Sequence, residues 1–96
     1  MIKKTFPEER LVLGLASEMY QTRYATPEED HGYQKADVVI THNNQEYFLQ
    51  VSRGQKSKRE REKLLKRGTY PIHTHTFEGS FRREELRKEL GVIVSN

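Results

Sequence analysis

The chain has 96 residues, enough for one domain with a modest hydrophobic core. Only 33% of the residues are apolar, 32% are charged, and cysteine is absent, which excludes disulfides, cysteine-based zinc sites and thiol nucleophiles. No stretch has the apolar length of a signal peptide or of a membrane span. We therefore expect a single domain over residues 1–96 that is cytoplasmic and has no membrane partner.

The N-terminal third is predicted to hold one helix and one weak strand. Pro7 and the two acids after it are typical of a first helical turn, and the helix is expected to run to about Tyr20. A short strand over 21–25 and a polar loop over 26–32 are expected to follow. The helical residues spaced to face a core are Leu11, Val12, Leu15 and Met19.

Residues 36–52 form two apolar runs around a polar tip at 43–45. Both runs are rich in β-branched and aromatic residues, so they predict a β-hairpin whose strands are covered on both faces. Ser57, with Glu60 three residues later, is typical of a helix N-cap. The helix that begins there is expected to reach Arg67 and to be closed by Gly68.

The C-terminal third is predicted to add a strand and a helix. Residues 69–77 alternate as a strand does, with Pro71 confined to its beginning or to a sheet edge. An amphipathic helix over 81–90 is expected to stop at Gly91. The predicted order is thus α-β-β-β-α-β-α, which favours an α/β (α+β) fold with a mixed four-stranded sheet flanked by helices.

The net charge of +3 is divided unevenly along the chain. Segment 53–67 holds eight bases and two acids, a charge of +6, and the remainder carries −3. A solvated helix face with pairs such as Glu62 and Lys66 is one interpretation. The excess of bases favours a surface that binds phosphates, without base specificity and with steep salt dependence. The residues predicted to bind nucleic acid are Arg53, Lys56, Lys58, Arg59 and Arg61.

Polar residues occupy set places around the hairpin. Asp37 opens the first strand, while Gln50 and Ser52 must share one face of the second because strand side chains alternate. Glu8 stands at the start of the first helix, one turn before its apolar stripe. These four residues are the candidate catalytic constellation of the sequence.

This pattern resembles the PD-(D/E)XK nuclease superfamily, the restriction endonuclease-like fold shared with Holliday-junction resolvases. In that family Pro-Asp, an apolar strand, a turn and a second apolar strand precede Glu-x-Lys. Here Ala36-Asp37 stands at the first position and Gln50-Val51-Ser52 at the second. Glu8 matches the acid that many members carry on the first helix. The resemblance covers Glu8 to about Phe77 and implies a nuclease fold with a site at these positions.

The departures from the family pattern concern the chemistry. Hydrolysis by this route needs clustered carboxylates to hold Mg²⁺ and a nearby lysine. Gln50 brings no charge and Ser52 no cation, so we expect a degenerate site without a cofactor, in a protein that binds nucleic acid without cutting it. The alternative is an active nuclease in which Glu8, Asp37 and Gln50 hold Mg²⁺ and Lys56 or Lys58 replaces the lysine.

Other interpretations stay open. Asp37 can serve only the strand entrance, Glu8 only the helix dipole, and Gln50 and Ser52 a half-exposed face. The chain could also be a protein-interaction module or a homodimer that docks through its sheet edge or its apolar segment 92–94. Histidines 73 and 75 share a strand face, but the sequence specifies no third ligand, so a surface position is favoured over zinc.

Overall fold

The structure is a computed structural model of the chain and describes residues 5–95. Four strands form one sheet in the order β1-β2-β3-β4, in which β3 and β4 are parallel and the other neighbours antiparallel. The elements in chain order are α1 (Pro7–Ser17), β1 (Gln21–Tyr24), α2 (Pro27–His31), β2 (Val38–His42), β3 (Gln45–Ser52), α3 (Lys58–Lys66), β4 (Thr69–His73) and α4 (Arg83–Ser95). The predicted mixed four-stranded sheet flanked by helices is confirmed.

A two-residue turn sets the register of the hairpin. Asn43 and Asn44 both have positive φ, 52° and 62°, as a tight turn between twisted antiparallel strands requires. The pairing runs from His42 opposite Gln45 to Val38 opposite Leu49. Because strand side chains alternate, this register decides which face of the sheet each residue of β3 occupies.

The two faces of the sheet carry different layers. On one face Ile40 and Leu49 pack in the main core with Val12 of α1 and Leu90 of α4. On the other face Val39 packs with Ala25, Ala36 and Phe48 in a smaller cluster. The expectation that β2 is covered on both faces is thus confirmed, since its first three residues are all fully buried.

The predicted polar loop at 26–32 contains the short helix α2, which the predicted element order lacked. Thr26 and Glu29 form a capping box: the Thr26 hydroxyl accepts from the Glu29 N–H at 3.2 Å, and the Glu29 carboxylate from the Thr26 N–H at 2.8 Å. Hydrogen bonding with Arg23 lowers the pKa of Glu29 to about 2. The helix is therefore fixed by its cap and by an ion pair, because it has no buried residue of its own.

The first helix is shorter than predicted and is rotated relative to its predicted stripe. It ends at Ser17 rather than near Tyr20. Val12 and Leu15 are buried as expected, but Leu11 and Met19 are 40% and 36% exposed. Ala16 takes the remaining core position. A small residue lets the helix approach the sheet closely, which leaves the larger side chains at its rim.

The C-terminal third differs from the prediction at both elements. β4 ends at His73 instead of reaching Phe77, and His75 forms only an isolated bridge with Phe81. The last helix, α4, continues through Gly91 to Ser95. Burial of Ile93 and Val94 outweighs the weak helix propensity of glycine. Segment 92–94, predicted as a docking segment, is therefore mostly part of the chain's own core. No helix within residues 5–95 is long and apolar enough to cross a membrane.

Candidate functional site

Asp37 lies immediately before β2 and joins the two strands of the hairpin. Its backbone N–H donates to the Leu49 carbonyl at 2.7 Å, and its carboxylate accepts from the Val51 N–H at 2.8 Å. The pairing of β2 with β3 ends at Val38 and Leu49, so the Val51 N–H has no ladder partner on β2. The Asp37 carboxylate thus supplies a hydrogen bond that the backbone of β3 needs.

Replacement of this carboxylate is expected to weaken the fold. Asp37→Ala leaves the Val51 N–H without its acceptor and should lower the free energy of unfolding by about 1–3 kcal/mol. Asp37→Asn keeps a carbonyl oxygen at the position and should cost less. Urea denaturation of both variants measures the difference. Equal stability of Asp37→Ala and the unmodified chain would contradict a structural role for the carboxylate.

Gln50 and Ser52 share one face of β3, as the sequence predicts, and it is the face opposite the main core. The Gln50 amide nitrogen donates to the Lys35 carbonyl at 3.0 Å. Lys35 has a positive φ of 55°, so this bond supports an unfavourable backbone conformation. The Ser52 hydroxyl donates to the Gly54 carbonyl at 2.8 Å. Both side chains therefore hold the segments that enter and leave the hairpin.

Glu8 belongs to a different layer from Gln50 and Ser52. Helix α1 covers the face of the sheet that carries Leu49, whereas the other two residues point to the opposite face. The Glu8 carboxylate lies 3.9 Å from the Arg53 guanidinium, at the end of β3. The structure thus joins Asp37 to β3 but does not gather the four predicted residues on one face of the sheet.

Mg²⁺ needs several oxygen ligands converging on one point, whereas Glu8 and Gln50 of the alternative metal set belong to different layers. Among residues 5–95, no cluster of three or more histidine, aspartate or glutamate side chains could hold a metal ion. The same observation applies to His73 and His75, which line one cleft without a suitable third ligand.

The basic segment after the hairpin is held in place by its own cap and by one arginine. The Ser57 hydroxyl accepts from the Glu60 N–H at 3.3 Å, as the sequence predicts, so α3 begins at Lys58. The Arg61 guanidinium donates to the Lys56 carbonyl at 2.7 Å and fastens the first turn to the preceding loop. Leu64 is the buried contact of α3 with the body. The predicted phosphate-binding bases are thus fixed on one helix and the loop before it.

The bases of 56–67 differ in their partners from most of the other arginines. Arg23 pairs with Glu29 and Glu46, and Arg82 with Glu85 and Glu89. Arg83 and Arg87 share Glu18. Within the described part of the chain, no carboxylate lies within 4.0 Å of a base of 56–67. We call this set the α3 basic surface: Lys56, Lys58, Arg59, Arg61, Lys63, Lys66 and Arg67.

Arg53 stands apart from the α3 basic surface. It is 60% exposed, and its guanidinium lies 3.9 Å from Glu8 and 3.5 Å from the His75 imidazole. The neighbouring residue Gly54 lines a cleft of about 550 Å³, which His75 and Phe77 also line. Of the predicted nucleic-acid-binding residues, Arg53 is thus the one that has a carboxylate of residues 5–95 within 4.0 Å.

Arg82 lines the same cleft, and its role there was not predicted from the sequence. Its side chain is 6% exposed and donates to the His73 carbonyl at 2.7 Å as well as to Glu85 and Glu89. Burial acts against the charge of Arg82, but the bonds to both carboxylates outweigh it and raise its pKa. Desolvation and then the charge of Arg82 lower the pKa of His73. In the sequence, Arg82 is one base in a charged run and carries no signal of burial.

No protein-family model, curated protein or solved structure matches the chain. The fold and the site define an α+β domain whose helix α3 carries a cluster of bases without carboxylate partners among the described residues. The resemblance to PD-(D/E)XK nucleases accordingly rests on the hairpin residues and on the element order.

Proposed function

We propose that the chain is a degenerate, non-catalytic domain of the PD-(D/E)XK type that binds nucleic acid through the α3 basic surface. The observation that carries this proposal is the difference between α3 and the rest of the molecule. Five of the six arginines outside this segment have a carboxylate within 4.0 Å, whereas none of the seven bases of 56–67 has one among the described residues. The binding of a phosphate to such a surface is favourable because no internal ion pair has to be broken first.

The same arrangement supports binding that is independent of base sequence. Neutralisation of phosphates by lysine and arginine releases counterions and distinguishes no base from another. Lys58 and Arg59 are exposed in the first turn of α3, while Lys56 and Arg61 are half-buried in the hollow beside Ser52. A phosphate backbone can therefore follow the surface from the end of β3 along the helix.

The absence of hydrolysis is supported by the engagements of the predicted site residues. Asp37 holds the Val51 N–H, Gln50 holds the Lys35 carbonyl, and Ser52 holds the Gly54 carbonyl. Glu8 lies in the layer on the other face of the sheet. An active nuclease would need oxygens of Glu8, Asp37 and Gln50 to converge on one metal ion, although Glu8 and Gln50 belong to different layers.

The test is a salt titration of binding to labelled oligonucleotides of unrelated sequence, followed by fluorescence anisotropy. We expect similar affinities for all sequences, with the logarithm of the association constant falling linearly as the logarithm of salt concentration rises. The same mixtures with Mg²⁺ or Mn²⁺ should contain intact oligonucleotide on a gel. Metal-dependent cutting that Asp37→Ala abolishes would favour the active nuclease instead. No binding at low salt would favour a protein-interaction module.

A further inference from the structure

Phe77 is presented to solvent on a tightly closed turn. The Gly79 N–H donates to the Thr76 carbonyl at 2.9 Å, and the Thr76 N–H donates to the Ser80 carbonyl at 2.8 Å. The Ser80 N–H also donates to the Thr76 hydroxyl at 3.0 Å, and Gly79 adopts a φ of +93° that suits glycine. Phe77 at the tip is fully exposed. The ring contributes nothing to the core, and the turn fixes the backbone position from which it projects.

The cleft beside Phe77 adjoins the α3 basic surface. Gln55 and His73 line both this cleft and the neighbouring hollow that contains Lys56 and Arg61. A ligand that extends from the cleft past Gln55 and His73 would thus meet Lys56 and Arg61. The volume of about 550 Å³ is within the range of small-ligand pockets.

A second exposed aromatic residue stands at the other end of α3. Tyr33 is 67% exposed, and the Arg67 guanidinium lies over its ring at 5.8 Å from the centroid. The α3 basic surface is therefore bounded by Phe77 near its beginning and by Tyr33 at its end. Aromatic rings beside a row of bases are typical of surfaces that bind single-stranded nucleic acid, where bases stack and phosphates pair with cations.

We infer that the ligand of this surface is single-stranded nucleic acid, with one base stacked on Phe77 and the backbone along α3. The inference rests on the proposed function and narrows its substrate class. A duplex keeps its base faces inside the stack except at its two ends, whereas a single strand can offer a base to an exposed ring along its whole length. Glu78 next to Phe77 and Glu85 at the cleft disfavour a phosphate there. We therefore expect the base to stack on the Phe77 ring and the phosphates to bind the bases of α3.

The first test compares a single-stranded oligonucleotide with a duplex of the same length. Phe77→Ala should lower the affinity for the single strand about five- to a hundredfold and leave the duplex affinity unchanged. The salt slope should stay the same because every phosphate keeps its lysine or arginine. Phe77→Tyr keeps a ring that stacks and should retain the affinity. Val92→Ala removes another exposed apolar side chain, on α4, and should change neither affinity.

A fluorescent variant reports the stacking directly. The chain contains no tryptophan, so Phe77→Trp introduces a single indole at the tip of the turn. Its fluorescence should be quenched by the single strand and much less by the duplex. Val92→Trp places the indole on α4 instead and should show no quenching with either. Equal quenching of both indoles would overturn the proposed location of the base.

The outcomes separate this inference from the function on which it rests. Failure of both oligonucleotides to bind at low salt would contradict the proposed function and the inference together. Binding of single strand and duplex with equal affinity, unchanged by Phe77→Ala, would overturn the inference alone and leave phosphate binding by α3 in place. Loss of single-strand affinity in Phe77→Ala with recovery in Phe77→Tyr would support both.

Discussion

The double variant Lys58→Glu, Arg59→Glu is expected to lose about a hundredfold or more of its nucleic-acid affinity at low salt. A unit charge 4 Å from a phosphate is worth about 1 kcal/mol in water, and reversal replaces this attraction with repulsion. Each reversed side chain can therefore cost up to about 2 kcal/mol, less the screening by salt. The salt slope should also fall by about 0.7–0.9 for each phosphate that the variant no longer neutralises. Anisotropy titrations at several salt concentrations measure both quantities.

The fold should tolerate this double reversal. Lys58 and Arg59 are exposed and occupy the first turn of α3, where acidic residues interact favourably with the helix dipole. Circular dichroism and the unfolding midpoint should thus match those of the unmodified chain. A loss of affinity in a folded variant can then be assigned to the surface itself.

A matched control keeps the net charge equal and moves the reversal to other helices. Arg10 of α1 and Lys88 of α4 are both exposed, and their reversal to glutamate changes the net charge by the same amount. This control should keep most of its affinity and the original salt slope. Equal losses in the two double variants would mean that overall charge, and not the α3 basic surface, determines binding.

The fold could be predicted where local signals agree with the tertiary structure. The two asparagines of the hairpin turn, the Ser57 cap and Gly68 after α3 each specify a local conformation, and all occur as predicted. The capping box of Thr26 and Glu29 was also present in the sequence, but Pro27 and the polar composition favoured a loop. The short helix α2 could therefore have been predicted from its capping box.

The ends of elements could not be predicted in the same way, because tertiary packing decides them. Gly91 lies inside α4 since Ile93 and Val94 beyond it are buried in the core. Leu11 is partly exposed since Ala16 allows α1 to sit closer to the sheet through another stripe. Neither arrangement has a local signal, because each depends on which residues of distant segments compete for the same core volume.

In the candidate site, too, some features follow from the local sequence and others depend on tertiary packing. The cluster of bases and the shared face of Gln50 and Ser52 follow from the sequence, through composition and the period of a strand. The position of Glu8 relative to the sheet does not follow from the sequence, since it depends on which face of the sheet α1 covers. The cleft between Phe77 and the buried Arg82 depends on where α4 begins relative to β4, so nothing in the local sequence reports it.

The variant Leu49→Ala is expected to lower the free energy of unfolding by about 2–5 kcal/mol, measured by urea denaturation. Leu49 is fully buried in β3, a strand bonded on both edges, between Val38 of β2 and Tyr70 of β4. Truncation removes apolar surface from the core and leaves a cavity that a central strand cannot easily close. Domains of this kind are stable by about 5–15 kcal/mol, so the loss is a large part of the total.

The same substitution at an exposed position tests the register of β3. Leu65 of α3 is 51% exposed, and Leu65→Ala should cost well below about 1 kcal/mol because most of the removed surface already meets water. A one-residue slip of β3 would move Leu49 to the opposite face and bring Gln50 and Ser52 into the main core beside α1. Comparable small losses for both leucine variants would indicate that slip. Gln50 and Ser52 would then share the layer of Glu8, and the active-nuclease alternative would regain its geometric basis.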